Sequence, residues 1–262
     1  ISGKTFMLRP LKKNLKGVLK MFEKILFDLD GTLTDPKTGI TKCVQYALNH
    51  FGIEEEADNL TKFIGPPLID SFMEFYGFSL DKARQATAKY RERFAPIGKF
   101  ENEVYEGIPE MLKELKEKGV VLAIASSKPE PFVNDILIHF GLSDYFDVVV
   151  GSLMNETRTK KEEVIEEALK RLDISYEGSL NAEKGITLNV PKESVAMVGD
   201  RKFDVASARD MGITAVGVSF GYAQKGELEA ENPDFIKAFS SFISFLFVFT
   251  FPFKSAYIHH SK

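Results

Sequence analysis

The chain has 262 residues, enough for one large domain or two smaller ones. With 44% hydrophobic and 27% charged residues its composition is that of a soluble globular protein, and a net charge of −4 argues against a nucleic-acid-binding surface. The single cysteine, Cys43, excludes an intramolecular disulfide and fits a reducing compartment, so we expect a cytoplasmic location.

The first twenty residues differ from the rest of the chain, because they carry basic side chains and no acidic one. No long apolar segment follows these charges, which argues against a secretory signal. We interpret residues 1–20 as an N-terminal extension and expect the core domain to begin at Met21.

A pair of aspartates follows the first predicted strand. The apolar run Lys24–Phe27 predicts a buried strand, and Gly31 predicts a turn after it. Asp28 and Asp30 therefore fall where the strand ends, two positions apart and on the same side. Two carboxylates held this close repel each other unless a cation or a shared proton lies between them. A turn with two solvated aspartates is the alternative interpretation.

The segment after this turn has helical character. Residues 40–102 contain apolar positions at helical spacing and no clear strand, and Ser79 is the predicted N-cap of a helix that ends near Ile97. We expect this segment to form a separate helical domain. Residues 21–39 and 103–238 would then form one core domain.

From Gly107 onward, helices alternate with short, almost entirely apolar strands. Such strands indicate a parallel sheet covered on both faces, so the predicted class is α/β with a Rossmann-like sheet. The segment at residues 173–193 is longer than a usual connection between a helix and a strand, so we interpret it as a surface insertion. Within it, residues 185–190 are typical of one arm of a hairpin. The predicted strands are Val120–Ala125, Phe146–Val150, Ser194–Val198 and Ile213–Val218.

The end of the chain, residues 239–262, is rich in phenylalanine. Its apolar part is shorter than the roughly 20 residues that a membrane-spanning helix needs, so no membrane association is expected. A terminal helix or strand packed on the core and a divergent, partly disordered tail are both open interpretations.

Polar side chains cluster at the ends of the predicted strands and at the helix starts that follow them. The carboxyl ends of parallel strands share one edge of the sheet, so these side chains are expected to converge. Several carboxylates suit Mg²⁺ with water and phosphate oxygens, and a hydroxyl with an ammonium suits the remaining phosphoryl oxygens, which predicts phosphoryl transfer. Considered one at a time, the serines of this set are also typical of a turn, and its lysines are typical of a solvent-exposed helix face. Asp204 is also typical of the first turn of a helix. The side chains are Asp28, Asp30, Ser126, Ser127, Lys160, Lys161, Asp200 and Asp204.

Four strings, in the expected order, resemble the motifs of the haloacid dehalogenase (HAD) superfamily. They are Asp28–Leu33, Ile124–Pro129, the lysine-led helix at 160–165 and Val198–Asp204. The helical segment at 40–102 lies where that superfamily inserts its type-one cap domain. Residues 63–68, inside this segment, and residues 102–108, which begin at its end, are similar to the corresponding sequences of phosphoglycolate phosphatase-like members. The resemblance covers roughly residues 22–236.

The resemblance implies roles for the matching residues. Asp28 would be the nucleophile that takes the phosphoryl group, and Asp30 would protonate the leaving oxygen and then activate water. Ser126 would bind the phosphoryl group, supported by Ser127, which stands where many relatives carry asparagine. A lysine would neutralise that group.

The same resemblance selects the lysine and implies a metal site. Lys161 is preferred over Lys160 because the apolar residues that follow it match the family's spacing. Mg²⁺ would be held by Asp28, Asp200 and the backbone carbonyl of Asp30. Asp204 would support the metal or orient the lysine.

The implied function is Mg²⁺-dependent hydrolysis of a small, phosphoglycolate-like phosphate monoester through an aspartyl-phosphate. Asp30 argues against a dehalogenase, which has no use for a general acid there. A nucleoside 5′-monophosphate phosphatase, a pyrophosphatase, a phosphomutase and a non-catalytic HAD-like binding protein stay open as alternatives.

Cap residues would select the substrate, and Gly65, Pro66, Arg91 and Arg93 are the candidates. A solvated helix face is the alternative interpretation of the two arginines. The expected partner is a small phosphorylated metabolite, bound by a monomer or a homodimer, with neither nucleic acid nor membrane involved.

Overall fold

The computed structural model describes residues 22–178 and 186–250, so the predicted N-terminal extension lies outside the described residues. Within these ranges there are ten strands and nine α-helices. The strands are β1 (Lys24–Phe27), β2 (Thr34–Asp35), β3 (Glu103–Val104), β4 (Val121–Pro129), β5 (Val148–Ser152), β6 (Tyr176–Gly178), β7 (Ile186–Leu188), β8 (Val195–Gly199), β9 (Thr214–Val218) and β10 (Phe235–Lys237). The helices are α1 (Lys37–His50), α2 (Leu68–Tyr76), α3 (Leu80–Phe94), α4 (Ile108–Glu117), α5 (Glu130–His139), α6 (Lys161–Arg171), α7 (Lys202–Asp210), α8 (Glu227–Ala230) and α9 (Phe239–Phe249).

Six strands form one parallel sheet in the order β10-β9-β8-β1-β4-β5. Strand β1 lies between β4 and β8, and its Phe27 pairs with Ile124 on one side and Val198 on the other. Ile25 and Phe27 pack into the core on one face of the sheet, whereas Leu26 packs into the core on the other. Burial on both faces explains why the strand is apolar throughout, and the predicted α/β class is confirmed.

Strand β4 is longer than predicted. It continues past Ala125 to Pro129, which pairs with Ser152 of β5 after a shift in register. Ser126 and Ser127 therefore lie on an irregular strand end and not in a free turn. A register shift of this kind re-aims side chains at the end of a strand without ending the pairing.

Helices α1, α2 and α3 share a third apolar core, which also includes Phe132 of α5. Ser79 caps α3 as predicted, because its hydroxyl accepts a hydrogen bond from the backbone N–H of Lys82 at 3.3 Å. The helix ends at Phe94, three residues before the predicted end. The division of the chain at residues 40 and 102 stays a prediction, and this separate core supports it.

The segment after α6 contains a small hairpin. Strands β6 and β7 pair antiparallel, with Tyr176 opposite Leu188, so one predicted hairpin arm is present. The connection between the two strands lies outside the described residues.

The phenylalanine-rich tail begins with a docked helix. Phe242, Phe245 and Leu246 of α9 are buried in the core beside β1, and the backbone N–H of Phe22 donates to the carbonyl of Phe249 at 2.9 Å. Residues 251–262 of the predicted tail lie outside the described residues. None of the helices in the described ranges combines the length and the apolar character needed to cross a membrane.

Truncation of Phe242 tests whether α9 is part of the core. Phe242 is fully buried, whereas Val248 of the same helix is 58% exposed. We expect Phe242→Ala to lower the free energy of unfolding by about 3–5 kcal/mol, measured by denaturant titration. Val248→Ala is the matched control and should change it by less than about 0.5 kcal/mol. Equal stabilities of the two variants would contradict this packing.

Candidate active site

Three buried aspartates meet at the carboxyl edge of the sheet. Asp28 follows β1 directly, Asp200 follows β8, and Asp204 lies in the first turn of α7. Each offers a carboxylate oxygen, and these oxygens lie within 4.8 Å of one another. The three residues are at most 4% exposed. The predicted convergence of carboxylates at one sheet edge is therefore present in the structure.

Close backbone approach fixes the position of Asp200. A Cβ atom on Gly31 would lie 2.3 Å from Oδ2 of Asp200, and the φ of Gly31 is +80°, so only glycine fits there. The backbone N–H of Tyr222 donates to Oδ2 at 2.6 Å, and the hydroxyl of Thr32 donates to Oδ1 at 3.4 Å. Asp200 is thus held in one orientation toward the other carboxylates.

The electrostatics of the cluster favour a bound cation. Burial raises the pKa of Asp200 well above its usual range, and the charges of Asp204 and Asp28 raise it further. Burial also raises the pKa of Asp204 to about 6, although Lys161 opposes this shift. Carboxylates that repel each other in a dry site are stabilised by a hard divalent cation.

Lys161 is the one buried ammonium in contact with this cluster among the described residues. Its Nζ lies 3.0 Å from Oδ1 of Asp28 and 2.8 Å from Oδ1 of Asp204, and it donates to the carbonyl of Ala125 at 3.0 Å. Burial alone would lower the pKa of Lys161, but the two aspartates raise it above its usual range. The side chain therefore stays charged, whereas its neighbour Lys160 is exposed.

Asp30 lies apart from the three clustered carboxylates. Its Oδ2 is 2.8 Å from Nζ of Lys128, and both side chains are at most 10% exposed. Burial raises the pKa of Asp30, and Lys128 partly offsets this rise. Sequence reasoning missed Lys128, although it lies two positions after Ser126 in the same motif. That spacing on a strand could have been the signal.

The two serines of this motif have different surroundings. Ser126 is buried, and its hydroxyl accepts a hydrogen bond from the backbone N–H of Lys128 at 3.3 Å. Ser127 instead lines a pocket that Asp30 also lines. Only Ser127 therefore shares this pocket with the predicted acid–base residue.

The pocket has a volume of about 270 Å³ and is bounded by the strand end on one side and by helices of the predicted cap on the other. Three of the cap candidates, Gly65, Pro66 and Arg91, line it. The fourth, Arg93, does not. Its guanidinium binds Glu101 at 2.6 Å and the Sγ atom of Cys43 at 3.2 Å, outside the lining of this pocket.

Sequence reasoning also missed Arg201, which connects the loop after β8 to the predicted cap. Its backbone N–H donates to Oδ2 of Asp204 at 3.0 Å, and its guanidinium binds Glu227 at 2.9 Å and the carbonyl of Ile64. A Cβ atom on Gly65 would lie 2.8 Å from Cγ of Arg201. We call these contacts of Arg201, Glu227 and Ile64 the cap clamp.

The fold and the site together define a class of protein. A parallel α/β sheet carries a buried carboxylate cluster with a lysine at its carboxyl edge, beneath a pocket lined by helices, as expected for phosphoryl transfer. The haloacid dehalogenase-like hydrolase family matches residues 25–218, and the chain belongs to this family.

Relatives and solved structures agree with this assignment. The chain is 41% identical over 213 residues to a 5′-nucleotidase of Pseudomonas aeruginosa, covering 81% of this chain and 89% of the relative. It is 31% identical over 216 residues to a phosphoglycolate phosphatase of Aquifex aeolicus, covering 80% and 90%. The crystal structure of a predicted phosphatase from Clostridium acetobutylicum has a TM-score of 0.77 at 38% identity, covering 87% of this chain and 99% of that one. The prediction of a phosphatase of this family is confirmed.

Removal of the Arg201 side chain tests the cap clamp. Arg201→Met leaves the carboxylate of Glu227 buried without its ion pair, so we expect a loss of about 3 kcal/mol in the free energy of unfolding, measured by denaturant titration. Arg209→Met, at an exposed position near the end of α7, removes only an exposed hydrogen bond to the carbonyl of Glu231, so this control should cost less than about 1 kcal/mol. A clamp variant as stable as this control would contradict the assignment.

Proposed function

We propose that this chain is a Mg²⁺-dependent phosphatase that hydrolyses a small phosphate monoester through an aspartyl-phosphate intermediate. The observation that carries the proposal is the buried contact of Lys161 with both Asp28 and Asp204, beside Asp200. A nucleophilic carboxylate, a charge-neutralising ammonium and a cation site are thereby within reach of one phosphoryl group.

The donor set fits a hard divalent cation. Asp28, Asp200 and the backbone carbonyl of Asp30 would hold it. Both oxygens of Asp204 already lie near protein donors, at 2.8 Å from Lys161 Nζ and 3.0 Å from the backbone nitrogen of Arg201, which supports a positioning role for this residue. When bound, Mg²⁺ supplies positive charge that neutralises the phosphoryl oxygens.

The first step proposed is attack by an oxygen of Asp28 on phosphorus. The bond between phosphorus and the leaving oxygen breaks, and Asp30 gives its proton to that oxygen. The buried position of Asp30, which raises its pKa, supports its role as the proton donor. Lys161 stays charged and balances the negative charge of the transferring group.

The second step proposed is hydrolysis of the acyl phosphate. Asp30, now ionised, takes a proton from a water molecule, whose oxygen attacks phosphorus. The bond between phosphorus and the Asp28 oxygen breaks, which releases inorganic phosphate and regenerates the Asp28 carboxylate. Its ion pair with Lys128 at 2.8 Å stabilises the ionised form that this step needs. Ser126 would bind a phosphoryl oxygen in both steps.

The phosphoglycolate-like substrate stays a prediction. Nucleoside 5′-monophosphates are the second candidate, because the relative at 41% identity is named a 5′-nucleotidase. Pyrophosphate stays open as a third candidate substrate. The cytoplasmic location, the small phosphorylated partner and the monomeric or homodimeric state also stay predictions.

Two substitutions test the proposed chemistry with p-nitrophenyl phosphate and Mg²⁺. We expect Asp28→Asn to abolish turnover, because an amide cannot form the acyl phosphate. Asp30→Asn should lower kcat about 10²- to 10⁴-fold, because it removes the general acid and base. Asp144→Asn, at an exposed position, should behave as the unmodified chain does. Full turnover by Asp28→Asn would rule out this nucleophile.

Metal dependence is tested by removal and return of the ion. Chelation should abolish turnover, and Mg²⁺ should restore it. Thermal unfolding gives a second readout, because an ion at 100 times its Kd stabilises the folded state by about 2.7 kcal/mol. This stabilisation should disappear in Asp200→Asn and persist in Asp144→Asn. Full activity of the chelated protein would contradict a Mg²⁺ requirement.

A further inference from the structure

The pocket beside Asp30 is where the leaving alcohol of the substrate must lie, because Asp30 is placed to protonate the leaving oxygen. Its volume of about 270 Å³ lies between the strand end at Ser127 and helix α3 of the predicted cap. A two-carbon acid is smaller than one aromatic ring and would leave most of this space to water. The volume therefore favours a larger alcohol.

Aromatic rings form part of the walls of this pocket. Tyr90 and Phe94 stack with their ring centroids 5.0 Å apart, and Phe132 packs edge-on against Phe94 at 5.3 Å. Flat rings pack well on such surfaces, whereas an anionic group is costly to bury there without a partner. The apolar and aromatic residues used in this argument are Phe63, Leu68, Tyr90, Phe94 and Phe132.

The charged groups that line the pocket are largely paired. Lys128 is paired with Asp30 at 2.8 Å, and Glu156 is paired with Arg84 at 2.9 Å. Among the described lining residues this leaves one exposed carboxylate, Asp70, and one cation, Arg91. The lining therefore carries no net positive charge that would attract glycolate or phosphate, the leaving groups of phosphoglycolate and pyrophosphate.

Helix α3 presents a buried hydroxyl and a guanidinium to this pocket. The hydroxyl of Thr87, a residue only 4% exposed, has no hydrogen-bond partner among the described residues. Arg91, one helical turn later on the same face, also lines the pocket, where its guanidinium interacts with the charge of Glu156. A buried hydroxyl without a partner is unfavourable, so a ligand is the natural partner for it.

We infer that the alcohol of the substrate is uncharged and carries a flat, hydrogen-bonding ring, so that the phosphatase acts on nucleoside 5′-monophosphates. This inference rests on the function proposed above. The base would lie against the aromatic wall, and its edge would bond to the Thr87 hydroxyl. The guanidinium of Arg91 suits acceptor atoms on such an edge.

The test compares kcat/KM for AMP, phosphoglycolate, pyrophosphate and acetyl phosphate with Mg²⁺. Acetyl phosphate reports the core chemistry, because its leaving group is too small to fill the pocket. We expect AMP to be preferred over phosphoglycolate and pyrophosphate. Thr87→Val, which removes the hydroxyl and keeps the shape, should lower the ratio of AMP to acetyl phosphate activity about fivefold to tenfold, mainly through KM.

Thr41→Val is the matched control. Thr41 is also buried, but it does not line the pocket, and its hydroxyl donates to the carbonyl of Lys37 at 2.8 Å within α1. This variant should leave the substrate ratio unchanged. Thermal unfolding should show that Thr87→Val is no less stable than the unmodified chain, because the lost hydroxyl had no partner.

A preference for phosphoglycolate or pyrophosphate over AMP would overturn the inference. An equal effect of Thr87→Val on AMP and acetyl phosphate would overturn it as well. In both cases hydrolysis of acetyl phosphate would leave the proposed phosphatase function in place. A chain that hydrolyses none of the four compounds would contradict the phosphatase proposal itself, and the inference with it.

Discussion

The buried ammonium of Lys161 between Asp28 and Asp204 is the interaction on which the rest of the site depends. Charges taken out of water are costly unless they are paired, and here one lysine lies among three buried carboxylates. The remaining excess of negative charge is what a divalent cation would neutralise. Three buried carboxylates with a single lysine are unfavourable without a cation. The cluster is therefore suited to binding a divalent cation together with a phosphoryl group.

The sheet places these groups, and the cap clamp links them to the pocket. Asp200 and Arg201 are consecutive residues, so one short loop carries both a predicted metal ligand and the guanidinium that holds the carbonyl of Ile64. Gly65, next to Ile64, lines the pocket. One wall of the pocket is thus anchored directly to the loop that carries Asp200.

Much of the fold could be predicted because its signals are local. Short apolar strands such as Lys24–Phe27 are typical of a parallel sheet that is covered on both faces. The carboxyl ends of parallel strands lie at one edge of the sheet, which predicts where the polar side chains meet. Lys128 and Arg201 escaped prediction because their partners are distant in sequence. Arg201 and Ile64, for example, are 137 positions apart. The docking of α9 stayed open although its serines mark a polar face. Ser240, Ser241 and Ser244 are exposed, whereas Phe242, Phe245 and Leu246 are buried.

The most direct measurement of the proposed chemistry is the mass of the peptide that contains Asp28 after acid quenching during turnover. If Asp28 is the nucleophile, this peptide carries one added phosphoryl group in the presence of Mg²⁺ and substrate, and hydroxylamine removes it as expected for an acyl phosphate. Chelation of the metal should prevent the modification. A phosphoryl group on another residue during turnover would contradict the assignment of Asp28.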